Sequence, residues 1–582
     1  MATTTFDAGR SLTGLRRRIA LGYEEFQTSA RREPIKYLTM FLGVLALAGL
    51  VCYPVYLLFQ FSLYDSAGKF TFSNYVAVFT QPGLLSAMKN SLILAFFVPV
   101  ICLLVGLPTA WLVSRTDMPM KGLVRAFAGV AFIVPSFISV IAWIFLLAPN
   151  SGKINKLLMA VLGLDSPPIN IFSMEGLIFV ESMHFYPLVF FAVTAALDNI
   201  DPSFEDAARN LGAGRIRTAA TVTLPLVTPA VLSGLILCIL DALAAFGAPA
   251  ALGFPVNIHV LTTKIYTLLT YPPQLQLAAA VSIPIIFFTA LCLLCQKWWL
   301  GRTKFTTLTG KIGKAQAVEL GRWRWAAFSF CFLVIFFSVL LPLTALIILS
   351  LLNTFGADIA LKNIVFSNYK IFFDDTFIVW QSVQNSMKLA FATATLCVLL
   401  AIIYVWIVER TKIPGRSLVT FIVMITFGFP AVAMGVGILI GYINWLYGSL
   451  WIIFVAYMAK MIPFAFIFMR NAIKQIGEEL EEAARIAGAT WIRSVRDVTV
   501  PLMKTGIWVG WVLIFSLSLR ELAMSVFLAQ PGTEVMAVAV YIYLEEGAVE
   551  NAAAISVVIA LLSVVTVMLA RKIAGKGTLE VG

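Results

Sequence analysis

Twelve apolar runs, each long enough to cross a bilayer as a helix, constrain this 582-residue sequence more than any other feature. A membrane-spanning helix needs about 20 consecutive apolar residues. The runs cover about 37–61, 90–113, 125–148, 174–198, 226–251, 277–299, 325–352, 384–408, 418–442, 450–470, 505–529 and 548–570. Since 60% of the residues are hydrophobic and 12% are charged, we expect an all-α polytopic membrane protein with about 12 spans.

Basic residues divide the chain and orient it. The net charge of +12 is spread between the apolar runs and not along one surface, which favours the positive-inside rule over nucleic-acid binding. That rule places both termini in the cytoplasm. The expected segments are an N-terminal tail over 1–36, a first half over 37–300, a basic cytoplasmic linker over 301–323, a second half over 324–572 and a C-terminal tail over 573–582.

The two six-span halves repeat one another. Asp206–Gly212 is a near-copy of Glu482–Gly488 at a shift of 276 residues. Other pairs match at a shift of 295, namely Asn90-Ser91 with Asn385-Ser386, Ala110–Thr116 with Val405–Thr411, and Pro135 with Pro430. The first half therefore has 19 extra residues after its third span, which predicts a longer external loop over 150–173. An even number of spans in each half predicts parallel copies with a solute pathway between them.

One repeated stretch is polar although it lies between apolar runs, so it must meet water or a soluble partner. Asp201-Pro202 is typical of a helix start, and Gly212 of a helix end. The second copy begins with carboxylates at the positive end of the helix dipole. The paired alanines let the backbone of a partner approach closely. Each copy therefore predicts a docking helix on the cytoplasmic side.

These copies resemble the Glu-Ala-Ala loop of the inner-membrane permeases of binding-protein-dependent, type I ABC importers, which docks into an ATPase subunit. Asp206 stands where that family usually has Glu, and Val500 where it has Leu. The resemblance implies that the docking residues are Glu205, Asp206, Ala207, Ala208, Gly212, Glu481, Glu482, Ala483, Ala484 and Gly488.

The resemblance narrows to fused double permeases of the ferric-iron, phosphonate, thiamine and polyamine branch. It implies the type I permease fold, a bacterial inner membrane, a periplasmic binding protein and two copies of an ATPase subunit. The solute would be ferric iron or a small organic ion such as a phosphonate, moved by alternating access.

ATP chemistry is not expected on this chain. Each of the five Gly-Lys pairs lacks the Ser or Thr that a phosphate-binding loop needs after it. ATP and magnesium would therefore bind the partner ATPase, and this chain would be a transport subunit, not an enzyme. Only two histidines, His184 and His259, are present, so we expect no metal site and no cofactor.

Several ionisable residues fall within the apolar runs, where charge is costly and usually faces a cavity. They are Glu181, His184, Asp241, Lys460, Arg520 and Glu521. One hypothesis is a mixed-charge corridor for the solute. The alternative is that pairs such as Asp241 with Arg520 lock helices together.

Two other classes of protein share part of this pattern. A secondary transporter of the major-facilitator kind also has two parallel six-span halves, although it needs no matching docking helices. A membrane scaffold without transport activity would tolerate loss of every buried charge.

Overall fold

The computed structural model describes residues 33–201, 203–270, 272–302, 317–374, 378–411, 413 and 415–574. Most of the expected N-terminal tail, linker and C-terminal tail lies outside these ranges. The described chain is helical, and its β pairing consists of three isolated bridges.

The main α-helices of the first half are Pro34–Leu47, Tyr53–Ser62, Ser73–Thr80, Pro82–Arg115, Lys121–Ile133, Ser136–Leu147, Lys153–Leu162, Met174–Asp198, Ser203–Asn210, Leu224–Ala244, Gly247–Gly253, Leu261–Leu269 and Leu275–Arg302. Those of the second half are Arg324–Ile335, Leu341–Ser350, Ile378–Arg410, Arg416–Ile425, Ala431–Leu446, Leu450–Lys474, Glu478–Ile486, Lys504–Leu519, Met536–Glu545 and Val549–Ala574.

Nine helices in the described residues are long and apolar enough to cross a membrane, and three bent pairs raise the number to as many as 12. The expected all-α membrane fold is therefore confirmed, but two of the expected single spans, 125–148 and 418–442, are broken by sharp bends. The bends are 97° between Lys121–Ile133 and Ser136–Leu147, and 113° between Arg416–Gly428 and Ala431–Leu446. A third, of 75°, separates Trp491–Leu502 from Lys504–Leu519.

The first two bends occur at the matched prolines. We call Val134-Pro135 the first elbow and Phe429-Pro430 the second elbow. Both Val134 and Phe429 have extended backbone, with ψ of 121° and 123°. Proline disfavours the helical conformation in the residue before it, which explains why both helices stop there. Each elbow leaves helix-end carbonyls unpaired within an apolar stretch, so other groups must bind them.

Four further prolines follow π-helical turns. The turns are Ala48–Cys52, Ala219–Thr223, Phe336–Leu340 and Val495–Thr499, and each ends two residues before a proline. A proline has no backbone N–H to donate, and the wider turn accommodates that loss without ending the helix. Two of these turns, Ala219–Thr223 and Val495–Thr499, lie in matching places in the two halves.

The halves exchange their first helices. The first helix of the described residues and the π-helical turn after it pack on the second half, where the Tyr404 hydroxyl donates to the Gly43 carbonyl at 2.9 Å and the Tyr442 hydroxyl to the Gly49 carbonyl at 2.9 Å. In return, the Ser338 hydroxyl of the helix after the linker lies 3.4 Å from the Tyr186 hydroxyl of the first half. The hydrophobic core is therefore continuous across both halves.

Candidate functional site

The repeated stretch forms two short helices, which we call the first polar helix (Ser203–Asn210) and the second polar helix (Glu478–Ile486). Asp201 accepts a bond from the Ser203 N–H at 2.9 Å, and this bond lowers the pKa of the Asp201 carboxyl. The second polar helix carries Glu478, Glu479 and Glu481 in its first turn, where the helix dipole favours negative charge.

Both polar helices end in the same glycine turn. Gly212 has φ of +83° and Gly488 of +87°, a region open to glycine at little cost. The N–H of Gly212 donates to Arg209 at 2.9 Å and that of Ala213 to Ala208 at 3.0 Å, and the second half repeats both bonds. This hydrogen-bond pair is the Schellman motif, which fixes the direction of the chain after the helix.

Most of the expected docking residues lie on an exposed face. Asp206, Ala207 and Gly212 are exposed, as are Glu482, Ala483 and Gly488, whereas Ala208 and Ala484 are half-buried. Sequence reasoning missed the apolar part of this face. It consists of Phe204 and Leu480, which match at the shift of 276, and of Leu211 and Ile486, which are 89% and 88% exposed. Exposed apolar groups on a polar loop are typical of a protein interface.

Glu205 and Glu481 do not belong to that face. They are only 5% and 8% exposed, and their carboxylates turn towards the membrane helices. A residue that faces inward cannot contact a docked partner, so the structure gives these two positions a different place from the other eight expected docking residues.

Each inward carboxylate binds an arginine and a threonine. Glu205 Oε1 lies 3.3 Å from Arg115 Nε and accepts the Thr223 hydroxyl at 2.8 Å. We call these three residues the first joint. Arg115 is the last residue of the helix Pro82–Arg115, which we call the first stem helix. Thr223 ends the π-helical turn Ala219–Thr223. The first joint therefore connects the first polar helix to two membrane helices.

The second half builds the same cluster. Glu481 Oε1 lies 3.2 Å from Arg410 Nε and accepts the Thr499 hydroxyl at 3.0 Å. We call these residues the second joint. Arg410 ends the helix Ile378–Arg410, the second stem helix. Sequence comparison contained a signal for the joints, because Arg115 and Arg410 match at the shift of 295 while the glutamates and threonines match at 276.

The basic groups within the apolar runs bind the elbows. At the first elbow, His184 Nδ1 lies 3.2 Å from the Ala131 carbonyl, and Arg520 Nη1 donates to the Phe132 carbonyl at 2.9 Å and to the Ile133 carbonyl. At the second elbow, Lys460 Nζ donates to the Phe429 carbonyl at 2.8 Å. Cations are the favourable partners of helix C-terminal carbonyls.

The acidic groups have three different environments. Glu521 accepts bonds from the N–H groups of Met524 at 3.1 Å and Ser525 at 3.3 Å. Glu181 is 1% exposed, and neither of its carboxylate oxygens has a hydrogen-bond partner in the described chain. Asp241 is half-buried near the end of Leu224–Ala244. Arg520 binds the first elbow, and its charge also acts on the Asp241 carboxylate, so the alternative of an Asp241–Arg520 pair stays open.

Comparison with known proteins shows what kind of protein carries this arrangement. The family model for the inner membrane component of binding-protein-dependent transport systems matches residues 82–302 and 406–576. The chain belongs to this family. The two matched regions hold both polar helices, both joints and both elbows. This permease thus contains the family domain twice on one chain.

Curated relatives cover either the whole permease or one half. The ferric transport system permease protein FbpB of Actinobacillus pleuropneumoniae is 24% identical over 509 residues, which are 85% of this chain and 72% of that protein. The putative 2-aminoethylphosphonate transport system permease protein PhnU of Salmonella typhimurium is 29% identical over 231 residues, or 40% of this chain and 80% of that protein. The molybdenum transport system permease protein ModB of Escherichia coli is 30% identical over 221 residues, or 38% of this chain and 92% of that protein.

Among solved structures, one chain of a bacterial ABC transporter involved in the import of the acidic polysaccharide alginate is 19% identical with a TM-score of 0.39, covering 48% of this chain and 99% of that chain. The sequence relatives confirm the prediction of a fused, two-domain type I ABC importer permease. No comparison supports the secondary-transporter alternative.

Proposed function

We propose that this permease imports a small ion, ferric iron or a small organic ion such as a phosphonate, with an external binding protein and two copies of a separate ATPase subunit. The two equivalent polar helices are the observation that carries this proposal. Two identical ATPase subunits need two equivalent docking sites, and the chain has the same exposed face twice.

The exposed face supports ATPase docking in three ways. Its alanines present little bulk, its apolar tips Leu211 and Ile486 project into solvent, and its carboxylates Asp206 and Glu482 can orient a basic partner. The five Gly-Lys pairs of this chain do not form a phosphate-binding loop, so the ATP and magnesium sites belong to the partner subunits.

The distribution of basic residues supports a cytoplasmic position for both polar helices. Each stem helix ends in an arginine that contacts a polar helix, so Arg115 and Arg410 lie on the same side as both docking faces. The loops on that side are the basic ones, and the positive-inside rule assigns such loops to the cytoplasm. We therefore propose an inner-membrane protein with both termini in the cytoplasm.

The solute is proposed from the relatives and from the pathway charges. FbpB, which aligns with both halves, is named for ferric transport, whereas PhnU and ModB align with one half. His184, Lys460 and Arg520 all bind elbow carbonyls. Asp241 is half-buried, and the charges of Lys460 and Arg520 in the second half act on its carboxylate. The mixed charges suit a small ion, and the preference for ferric iron comes from FbpB.

The test is reconstitution of the purified permease in lipid vesicles with its co-encoded ATPase and binding protein. Ferric iron, phosphonates, thiamine and polyamines are offered in turn to the binding protein. We expect ATP-dependent uptake of ferric iron, and stimulation of ATP hydrolysis by the loaded binding protein. Uptake by the permease alone would contradict the proposal. Stimulation by a phosphonate and not by iron would identify a phosphonate as the solute and leave the proposed mechanism unchanged.

A further inference from the structure

The two joints share a geometry that simple anchoring of a loop does not require. In both, the arginine ends a stem helix, the glutamate lies in the first turn of a polar helix, and the threonine ends a π-helical turn. The side chains of Arg115 and Glu205 are 5% and 7% exposed, and those of Arg410 and Glu481 are 8% and 11% exposed. Ion pairs with so little contact with water are screened weakly, so their geometry resists displacement.

Each stem helix runs without a break from its joint to the opposite face, although the first contains Pro99 and Pro108. The first has 34 residues and the second 33, which corresponds to about 50 Å of helix. Near the far end of the first stem helix, Asn90 donates to the His259 carbonyl at 2.8 Å, and Ser91 accepts the Leu261 N–H at 2.8 Å.

The far end of the second stem helix is attached in the same way. Asn385 donates to the Glu534 carbonyl at 2.9 Å, and Ser386 accepts the Met536 N–H at 2.8 Å. The joints and these outer contacts therefore lie at opposite ends of two matching rods. Movement of a joint reaches the outer contacts to the extent that the stem helix stays straight, and Pro99 and Pro108 allow the first stem helix to bend.

The second joint holds its rod more firmly than the first. Arg410 Nη2 donates to the Ile476 carbonyl at 2.6 Å and to the Ile473 carbonyl at 3.2 Å, which adds the end of Leu450–Lys474 to the cluster. Arg115 Nη2, by contrast, is buried without a hydrogen-bond partner in the described chain. It borders a small pocket of about 20 Å³, whose lining also includes Glu205, Thr223 and Val318.

We propose that the two joints are positioning elements that transmit movement of the docked ATPase subunits to the stem helices, and that the second joint transmits more of it than the first. This inference rests on the proposed function, because it assumes that an ATPase subunit binds each polar helix. The exposed docking face binds the ATPase subunit, and the buried joint behind it transmits the displacement to the stem helix.

The test compares double variants in the reconstituted complex. Arg410→Met with Glu481→Leu removes the second joint, and Arg115→Met with Glu205→Leu removes the first. Replacing both partners of a buried pair by apolar residues avoids the unpaired charge that a single substitution leaves. The matched control is Arg125→Met with Asp198→Leu, which removes a 2.9 Å pair whose side chains are 37% and 41% exposed.

The readouts are co-purification of the ATPase, ATP hydrolysis, and solute taken up per ATP hydrolysed. We expect the ATPase to co-purify with all variants and hydrolysis to continue. Uptake per ATP should fall about tenfold without the second joint, about threefold without the first, and not at all in the control. Unchanged uptake per ATP would overturn the inference, and so would loss of the ATPase from the joint variants.

Two further arms keep the result interpretable. If a double variant does not fold, Thr499→Val and Thr223→Val remove only one hydroxyl from each joint and should lower uptake per ATP about twofold. No change in these variants would also overturn the inference. A wild-type complex without ATP-dependent uptake would instead contradict the proposed function, and that result is independent of the variants.

Discussion

The polar helices of the two halves are alike, but the side-chain contacts beneath them differ. In the second half, Glu409 binds Arg470 at 2.5 Å, which links the second stem helix to Leu450–Lys474 beside the second joint. The matching positions of the first half are Ser114 and Thr194, whose hydroxyls are buried without partners in the described residues. The two halves therefore share the docking face and differ in the connections beneath it. Identical motor subunits would then move unequal halves.

The glycine turns are the part of the comparison where the halves agree, and they give the largest expected effect. A residue with a side chain costs about 1–2 kcal/mol in the left-handed region, and a β-branched residue costs more. We expect Gly488→Val and Gly212→Val each to lower uptake by about tenfold or more.

Uptake and ATP hydrolysis in reconstituted vesicles are the measurements. Gly163→Val is the control, because Gly163 also ends a helix at φ of +64° but lies in the loop after the third span. Full transport by Gly488→Val would contradict the docking model.

The elbows differ in which half binds them, and this gives the next largest effect. Arg520 comes from the second half and binds the first elbow, whereas Lys460 binds the elbow of its own half. Arg520→Met should lower both the melting temperature and uptake more than Lys460→Met, because it also removes a link between halves. Each lost hydrogen bond to a charged group costs about 1.5–3 kcal/mol.

Thermal unfolding in detergent and uptake in vesicles are measured on both variants. Loss of uptake with an unchanged melting temperature would favour the charged corridor over elbow binding. Equal effects of the two variants would show that the link between the halves contributes neither to stability nor to uptake.

The sequence predicted some of these features and not others, for physical reasons. Length and hydropathy predict the membrane class. The place of Gly212 and Gly488 at the end of a short helix predicts their left-handed turns. Hydropathy predicts straight spans at both elbows, although Pro135 matches Pro430, because the residues on both sides of each bend are equally apolar. The exchange of first helices has no local signal, since one apolar helix face can pack on either half.

The joints were only partly predictable from the sequence. Their residues recur in both halves, yet the arginine and the glutamate are separated by 90 residues in one half and 71 in the other. Only packing of the stem helix against the polar helix brings them together. Sequence alone therefore grouped Glu205 and Glu481 with the exposed docking residues, although their carboxylates point the other way.

The comparison is tested directly by exchanging the Glu409–Arg470 pair for the residues at the matching positions of the first half. The expected effect is smaller. Glu409→Ser with Arg470→Thr gives the second half the residues of the first, and we expect uptake per ATP to fall about twofold to threefold. The pair is partly exposed, at 18% and 36% of the side chains, so its contribution is modest. Ser114→Glu with Thr194→Arg is the reverse exchange. Equal activity of the wild type and the first exchange would show that this pair adds no stiffness.

The smallest effect is expected where the linker meets the first joint. The Val318 N–H donates to the Arg115 carbonyl at 2.8 Å, and the Asp117 N–H donates to the Val318 carbonyl at 3.1 Å. Val318→Pro removes the first bond, which is worth about 1 kcal/mol. Hydrogen exchange at the Asp117 amide should rise by about fivefold. Val318→Ala, which keeps the N–H, is the control, and the amides after Arg410 should not change in either variant. If exchange near Arg410 rose as well, the two joints would be coupled through the linker, and their difference in stiffness would have to be assigned to the whole cytoplasmic face.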